Sequence, residues 1–131
     1  ISIMSTNAPK NTARRFLRLA IDGEYEMQDR IKQTFSALRE ARINLYSASE
    51  KELEARQTLK FREADLMISG AIIGKNAETR DAQLREACKE ENDLCEKARQ
   101  EKAKAQLAFD LAQLEADEIK WIIRATHGKV E

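Results

Sequence analysis

The chain has 131 residues, of which 35% are charged, and its 23 basic and 23 acidic side chains cancel. This length suits one domain, and a composition rich in Glu, Lys, Arg, Ala, Leu and Gln favours long helices or coiled coil over a compact globular core. The balanced charge argues against a uniformly basic nucleic-acid binder, and no apolar run approaches the ~18 residues of a membrane span.

The first predicted element is a short amphipathic helix over residues 12–22. It follows a flexible N-terminus over 1–10, whose first three residues we interpret as an expression scar. Apolar residues recur at helical spacing at Ala13, Phe16, Leu17, Ala20 and Ile21. The other side of this helix is basic and carries Lys10, Arg14, Arg15 and Arg18. Asp22-Gly23 then predicts a stop or hinge.

A long helix is predicted over residues 24–69, because no glycine or proline interrupts this stretch. Large apolar residues recur at multiples of seven, at Ile31, Leu38, Leu45, Leu59 and Leu66, and Glu52 is the one polar exception. Small residues follow three positions after each of the first four members of this series, at Thr34, Ala41, Ala48 and Ala55. A seam that alternates large and small side chains lets two helices approach closely, and it indicates a coiled coil.

A second long helix is predicted over residues 77–126. Its seven-step series is Leu84, Glu91, Ala98, Ala105, Ala112 and Ile119, and beside it lie Cys88, Cys95, Phe109, Ala116 and Ile123. A further apolar stripe consists of Leu107, Leu111, Leu114 and Trp121. A simple hairpin offers this stripe no partner, so we expect it to form an interface between copies of the chain.

The bend between the two long helices covers residues 70–76 and reads GAIIGKN, which looks at first like a nucleotide-binding loop. A Walker loop reads G-x-x-x-x-G-K-[ST], whereas Gly70 and Gly74 are one residue too close and Asn76 replaces the hydroxyl residue. A hairpin turn explains each residue instead. Gly70 suits a left-handed residue at the end of a helix, Gly74-Lys75 provides the turn, and Asn76 caps the next helix.

No set of residues predicts an enzyme, a metal site or a cofactor site. The only histidine, His127, lies in the terminal ATHGKVE segment, and the carboxylates have the spacing of a solvated helix face. Cys88 and Cys95 are seven positions apart, about 10.5 Å along a helix, which is too far for a disulfide between them. We interpret both as seam cysteines, with a redox switch or an intermolecular disulfide as the alternative.

The stretch ISGAIIGKNAETRDAQLRE and the later LAQLEADEIKWIIR resemble small uncharacterised helical proteins of phages and prophages. The resemblance covers about residues 66–124. Its matching positions are Gly74, Lys75, Asn76, Arg80, Ala82, Gln83 and Leu84. It implies a phage setting, since such genes often accompany recombination or single-strand-binding functions. In architecture alone, the chain is also similar to the Gam host-nuclease inhibitors, which are long helical hairpins that dimerise and occupy DNA ends.

The sequence therefore predicts an all-α fold, in which residues 11–131 form one domain. This domain is a long antiparallel helical hairpin with a short N-terminal helix, and it is oligomeric. We expect a non-enzymatic interaction protein of the bacterial host cytoplasm, acting as an accessory or inhibitor in phage DNA metabolism. The alternative is a nucleic-acid binder that uses Lys10, Arg14, Arg15 and Arg18. Solvation or pairing with carboxylates of the hairpin also explains this basic face, and membrane-surface binding is a third hypothesis.

Overall fold

The described part of the chain consists of three helices. A computed structural model describes the backbone of residues 2–127 and the side chains of that range except those of 2–11, Phe16, Leu19 and Ala20. Helix α1 covers Ser2–Ile68, helix α2 covers Ala77–Ala87, and helix α3 covers Lys89–His127. Between residues 2 and 127 there is no β-strand, so the predicted all-α fold is confirmed.

Contacts divide the chain into two compact units. The first unit contains Ile1–Leu38 and Leu114–Glu131, and the second contains Arg39–Gln113. The prediction of a single domain over residues 11–131 stays a prediction.

The second unit is an antiparallel helical hairpin. Within this unit, three pairs of described side chains link α1 to α3: Arg42 lies 5.4 Å from the ring centre of Phe109, Glu52 is 3.0 Å from Lys102, and Arg62 is 3.8 Å from Glu91. The residue numbers rise along α1 while they fall along α3. The two helices therefore run in opposite directions, as the two heptad series predicted.

The seam of the second unit is built mainly from small or medium side chains. The α1 helix contributes Ala41 and Leu45, each 9% exposed, and the opposite side contributes Cys88 at 0% and Ala98 at 8%. These positions belong to the heptad series, so the seven-residue repeat identified the buried side of each helix. Two helices enclose little volume between them. Because the side chains along this seam are small, the two backbones can approach closely.

The first unit packs the N-terminal part of α1 against the C-terminal part of α3. Ala116 and Ile119 are completely buried, and Thr34 is 7% exposed. Arg30 forms an ion pair with Glu118 at 3.7 Å, and the Lys120 ammonium lies 6.0 Å from the ring centre of Phe35. Ile119 is one of the two largest fully buried side chains among the described residues and forms the centre of this unit.

The N-terminal helix predicted over 12–22 is the first part of α1 and not an element of its own. Helix α1 also includes residues 2–10, where the sequence predicted a flexible segment, and it passes through Asp22-Gly23 without a break. A glycine inside a helix costs only about 1 kcal/mol relative to alanine. Helix propagation adds one hydrogen bond per residue and nucleation is the costly step, so an established helix extends through such a site.

The second predicted helix is divided at Cys88. This residue has φ −104° and ψ 27°, outside the α-helical region, yet the hydrogen bonds on both sides persist. Cys88 N donates to Leu84 O and Asn92 N donates to Cys88 O, each at 2.8 Å. The distortion is therefore confined to one residue, and it accompanies the complete burial of the thiol.

Candidate functional site

The bend begins with a Schellman motif that ends helix α1. Gly70 N donates to Met67 O at 3.4 Å, and Ala71 N donates to Leu66 O at 3.2 Å. These two bonds satisfy carbonyls that a helix end leaves without partners. Gly70 has φ +76°, in the left-handed region where a Cβ atom is unfavourable. Helix α1 ends at Ile68, one residue before the end that the sequence predicted.

Helix α2 fixes the other half of the bend. It begins at Ala77, the predicted residue, and its N-cap Asn76 accepts a hydrogen bond from Thr79 N at 2.8 Å. The side-chain oxygen of Gln83 accepts from Ile73 N and Gly74 N, each at 3.1 Å. A Cβ atom on Gly74 would lie 2.8 Å from the backbone nitrogen of Arg80. The bend is thus held against α2 by the amide side chain of Gln83 and by the close approach of Gly74 to the backbone of Arg80.

These hydrogen bonds decide between a phosphate cradle and a turn. A phosphate loop presents free backbone N–H groups to its ligand. Here the N–H groups of Gly70, Ala71, Ile73 and Gly74 all donate to acceptors of this chain. The side chain of Lys75 is exposed. The geometry is that of a hairpin bend.

Glu52, the polar residue in the α1 heptad series, pairs with Lys102, a polar residue at a seam position of α3. The sequence analysis did not identify Lys102 as a seam residue. Lys102 lies seven positions after Cys95 and seven before Phe109, so it belongs to the seam series. Its ammonium is 3.0 Å from Glu52 Oε2, and Arg56 Nε is 3.6 Å from Glu52 Oε1. Glu52 is 8% exposed. Extending each series of seven and comparing its polar members would have revealed this pair.

The close polar contact with Lys102, more than any other cause, holds the pKa of Glu52 below its ordinary value of 4.5. Burial acts in the opposite direction, while the charges of Lys102, Arg56 and Arg99 lower the pKa further. The carboxylate is therefore more acidic in the folded chain than in the unfolded chain. Polar residues at seam positions specify the register of coiled coils, and this pair fixes which α3 position faces Glu52.

We expect the stabilisation from Glu52 to disappear in acid. Because the folded-state pKa is the lower one, the contribution is complete above the ordinary glutamate value and is lost as the pH falls through the lowered pKa. Melting temperatures of the wild type and Glu52→Gln, compared from about pH 7 to about pH 3, should converge at the acid end. Glu101→Gln removes an exposed carboxylate as the control. A difference between wild type and Glu52→Gln that is independent of pH would contradict this role.

The two cysteines are free and differ in burial. Cys88 is completely buried, and Cys95 is partly buried. Burial, and then the nearby carboxylates of Glu91 and Glu63, raise the pKa of the Cys88 thiol. A thiol that stays protonated is a poor nucleophile. Cys88 is thus a packing residue of the seam, in agreement with the simpler of the two sequence interpretations.

The α3 residues predicted to form an oligomer interface are exposed in both units. In the second unit Leu107 and Leu111 are 59% and 57% exposed. In the first unit Leu114 and Trp121 are 65% and 68% exposed, and Arg124 lies 5.7 Å from the Trp121 ring centre. The seam residues of the same helix are buried or partly buried. The described residues of one copy of the chain leave more than half of each of these four apolar side chains exposed.

The predicted basic residues Arg14, Arg15 and Arg18 are exposed, and the side chain of Lys10 lies outside the described residues. Among the described side chains, none of the three arginines forms an ion pair. Of the two simpler explanations for this basic face, solvation or pairing with hairpin carboxylates, the described residues show no pairing, and contact with nucleic acid stays a prediction. Leu17 and Ile21 are also exposed, by 65% and 49%. The N-terminal part of α1 therefore mixes basic and apolar side chains on its exposed surface.

Neither a metal site, a membrane span nor a known relative is found for the described part of the chain. Within residues 2–127, no cluster of three or more His, Cys, Asp or Glu side chains has the arrangement of a metal site. None of the described helices has both the length and the apolar character needed to cross a membrane. The chain matches no family model, no curated protein and no solved structure. The resemblance to phage proteins and to Gam inhibitors therefore stays a prediction.

Proposed function

We propose that this chain is a non-enzymatic coiled-coil interaction protein that self-associates through the apolar side chains of α3. The observation that carries this proposal is the exposure of Leu107, Leu111, Leu114 and Trp121, which ranges from 57% to 68%. Scattered single apolar residues are normal on a surface, but a helix with several of them is typical of an interface. The narrow seam buries few large side chains, so a second copy would also add apolar burial.

The resemblance of residues 66–124 to small phage proteins supports a more specific role. In this proposal the protein acts in the cytoplasm of a bacterial host, as an accessory protein or an inhibitor in phage DNA metabolism or host takeover. A protein partner is bound by exposed surface on the hairpin, and no cofactor takes part. The similarity in architecture to Gam inhibitors supports the same setting, because those inhibitors are long helical hairpins and the second unit of this chain is a helical hairpin as well.

The interface on α3 is tested by two charges placed in its apolar surface. We expect Leu114→Glu combined with Trp121→Glu to weaken self-association and to lower the melting temperature together, because charged groups resist burial. Sedimentation velocity measures the first effect and circular dichroism the second. Phe61→Glu combined with Ile68→Glu is the matched control, since these side chains are 72% and 85% exposed on α1. Association that is equal in the two double variants would refute the α3 interface.

A second function, nucleic-acid binding, is favoured by one observation. Arg14, Arg15 and Arg18 are exposed, and they form no ion pair with any described residue. Free guanidinium groups are suitable donors for phosphate oxygens. The aromatic content of 5% offers few rings for stacking bases, so this binding would depend on charge.

If these arginines contact phosphates, Arg14→Gln, Arg15→Gln and Arg18→Gln together should abolish DNA or RNA binding. Wild-type affinity should also fall steeply between about 50 and 200 mM salt, with a slope of log K against log salt no steeper than about −4 for each copy. Fluorescence anisotropy with a labelled single strand and a labelled duplex provides the measurement. Lys75→Gln, Lys89→Gln and Lys104→Gln change the same charge elsewhere and serve as the control. Equal binding by both triple variants would exclude the basic residues.

A further inference from the structure

The bend and helix α2 form one small body within the second unit. We call residues 72–87 the flap. The side-chain oxygen of Gln83 accepts hydrogen bonds from Ile73 N and Gly74 N, and Gly74 lies so close to the backbone of Arg80 that a Cβ atom would not fit between them. All these contacts join residues of the flap to one another. They therefore persist when the flap moves as a whole.

Few side chains attach the flap to α1 and α3. Leu84 is the only large apolar residue of α2, and it is partly buried, as are Gln83 and, in the bend, Ile72. Every other side chain of α2 is exposed. None of the described side chains of α2 forms an ion pair or a hydrogen bond with α1 or α3. Because an isolated helix of 11 residues is only marginally stable in water, α2 depends on these few contacts.

A groove between α1 and α2 shows that the flap is loosely packed. It has a volume of about 330 Å³ and is lined by Glu63 of α1, by Asp81, Leu84 and Arg85 of α2, and by Asn92 of α3. The side of Leu84 that lines this groove has no packing partner there, so it loses dispersion contacts. Glu63 and Asp81 carry the same charge and do not attract one another across the groove. The contact of α2 with α1 is therefore weak.

The flap has a suitable hinge position at each end. Gly70, just before it, has φ +76° and no side chain to restrict its backbone. Cys88, just after it, has φ −104° and ψ 27°, outside the α-helical region, and it separates α2 from α3. Hinge motions are absorbed by a few residues at the ends of such elements. Both ends of the flap therefore allow rotation without unwinding α1 or α3.

We propose that the flap opens reversibly as one body about Gly70 and Cys88 while α1 and α3 stay paired. Opening breaks the contacts of Leu84 but leaves the seam and the Glu52–Lys102 ion pair intact, so it costs less free energy than unfolding of the unit. It uncovers the Cys88 thiol, which is completely buried when the flap is closed. The flap thus controls access to this thiol. The motion goes beyond the proposed association, because it uses none of the apolar side chains at the α3 interface.

The test measures how fast N-ethylmaleimide modifies Cys88 in the full chain. The substitution Cys95→Ser leaves Cys88 as the only thiol, and mass spectrometry follows the reaction. We expect a measurable rate without denaturant. Leu84→Ala should raise this rate about tenfold, because it removes the main contact that holds the flap closed. Leu94→Ala removes the same atoms from a leucine of α3 that is 59% exposed, and it should leave the rate unchanged.

A substitution in the seam separates opening of the flap from unfolding of the whole unit. Leu45 is buried in α1 and keeps its contacts when the flap opens, so Leu45→Ala should change the Cys88 rate by less than about twofold.

Urea provides a second measurement that needs no variant in the seam. Opening of the flap exposes little surface, so the Cys88 rate should change little at low urea concentrations. A rate that rises with urea as steeply as global unfolding, measured by circular dichroism, would overturn the proposal. Equal acceleration by Leu45→Ala and Leu84→Ala would overturn it as well, and so would a thiol that reacts only once the chain is unfolded.

Discussion

Replacing Ile119 by alanine should lower the free energy of unfolding by about 2–5 kcal/mol. Ile119 has no exposed surface and lies in a unit formed by parts of two helices. The substitution removes apolar burial and leaves a cavity in a unit whose described residues include no other large side chain that is fully buried. Chemical denaturation followed by circular dichroism, with the slope compared between variants, measures the change.

The control for this substitution is Ile68→Ala, because Ile68 loses the same atoms but is 85% exposed. We expect that variant to stay within about 0.5 kcal/mol of the wild type. Equal losses at Ile68 and Ile119 would show that the buried side of α3 does not contribute the main packing of the first unit.

The second large effect is expected at the glycines of the bend. Gly70→Val forces a β-branched residue into a left-handed conformation, which costs about 1–3 kcal/mol. Gly74→Val places a Cβ atom 2.8 Å from the backbone nitrogen of Arg80, so the bend must move and the hydrogen bonds to Gln83 are disturbed. Both variants should therefore melt at a lower temperature than the wild type.

Gly23 is the matched control for the bend. It lies inside α1, and beyond the neighbouring backbone of its own helix a Cβ atom there would meet no described atom within 4 Å. Gly23→Ala should stabilise the chain slightly, since alanine has less conformational freedom to lose. Unchanged melting temperatures for both valine variants would count against our assignment of the turn. Destabilisation by Gly23→Ala would instead contradict the continuous helix.

The fold was predictable because heptads and helix caps are local signals. The seven-step series that contains Leu45 identified the buried side of the first long helix, and the series that contains Ala98 identified that of the second. The bend was predictable because Gly70 and Asn76 are each suited to one position at a helix end. The hydrogen bonds of Gln83 to the bend join groups ten and nine residues apart, and no local pattern reports them.

Other features were not predictable because they depend on opposing free-energy contributions of similar size. Gly23 was interpreted as a hinge, but a cost of about 1 kcal/mol does not stop a helix of 67 residues. The distortion at Cys88 has no glycine or proline to mark it. The spacing of Leu17 and Ile21 indicated an apolar side, but periodicity does not say whether another element covers that side. Exposure of these residues is therefore known only from the packed structure.

Self-association of this chain is tested most directly by sedimentation equilibrium of the unmodified protein. One chain has a mass of 15.0 kDa. By mass action, the weight-average mass should rise with concentration and reach at least that of a dimer by about 100 μM. A mass that stays at 15.0 kDa up to about 500 μM would contradict the account.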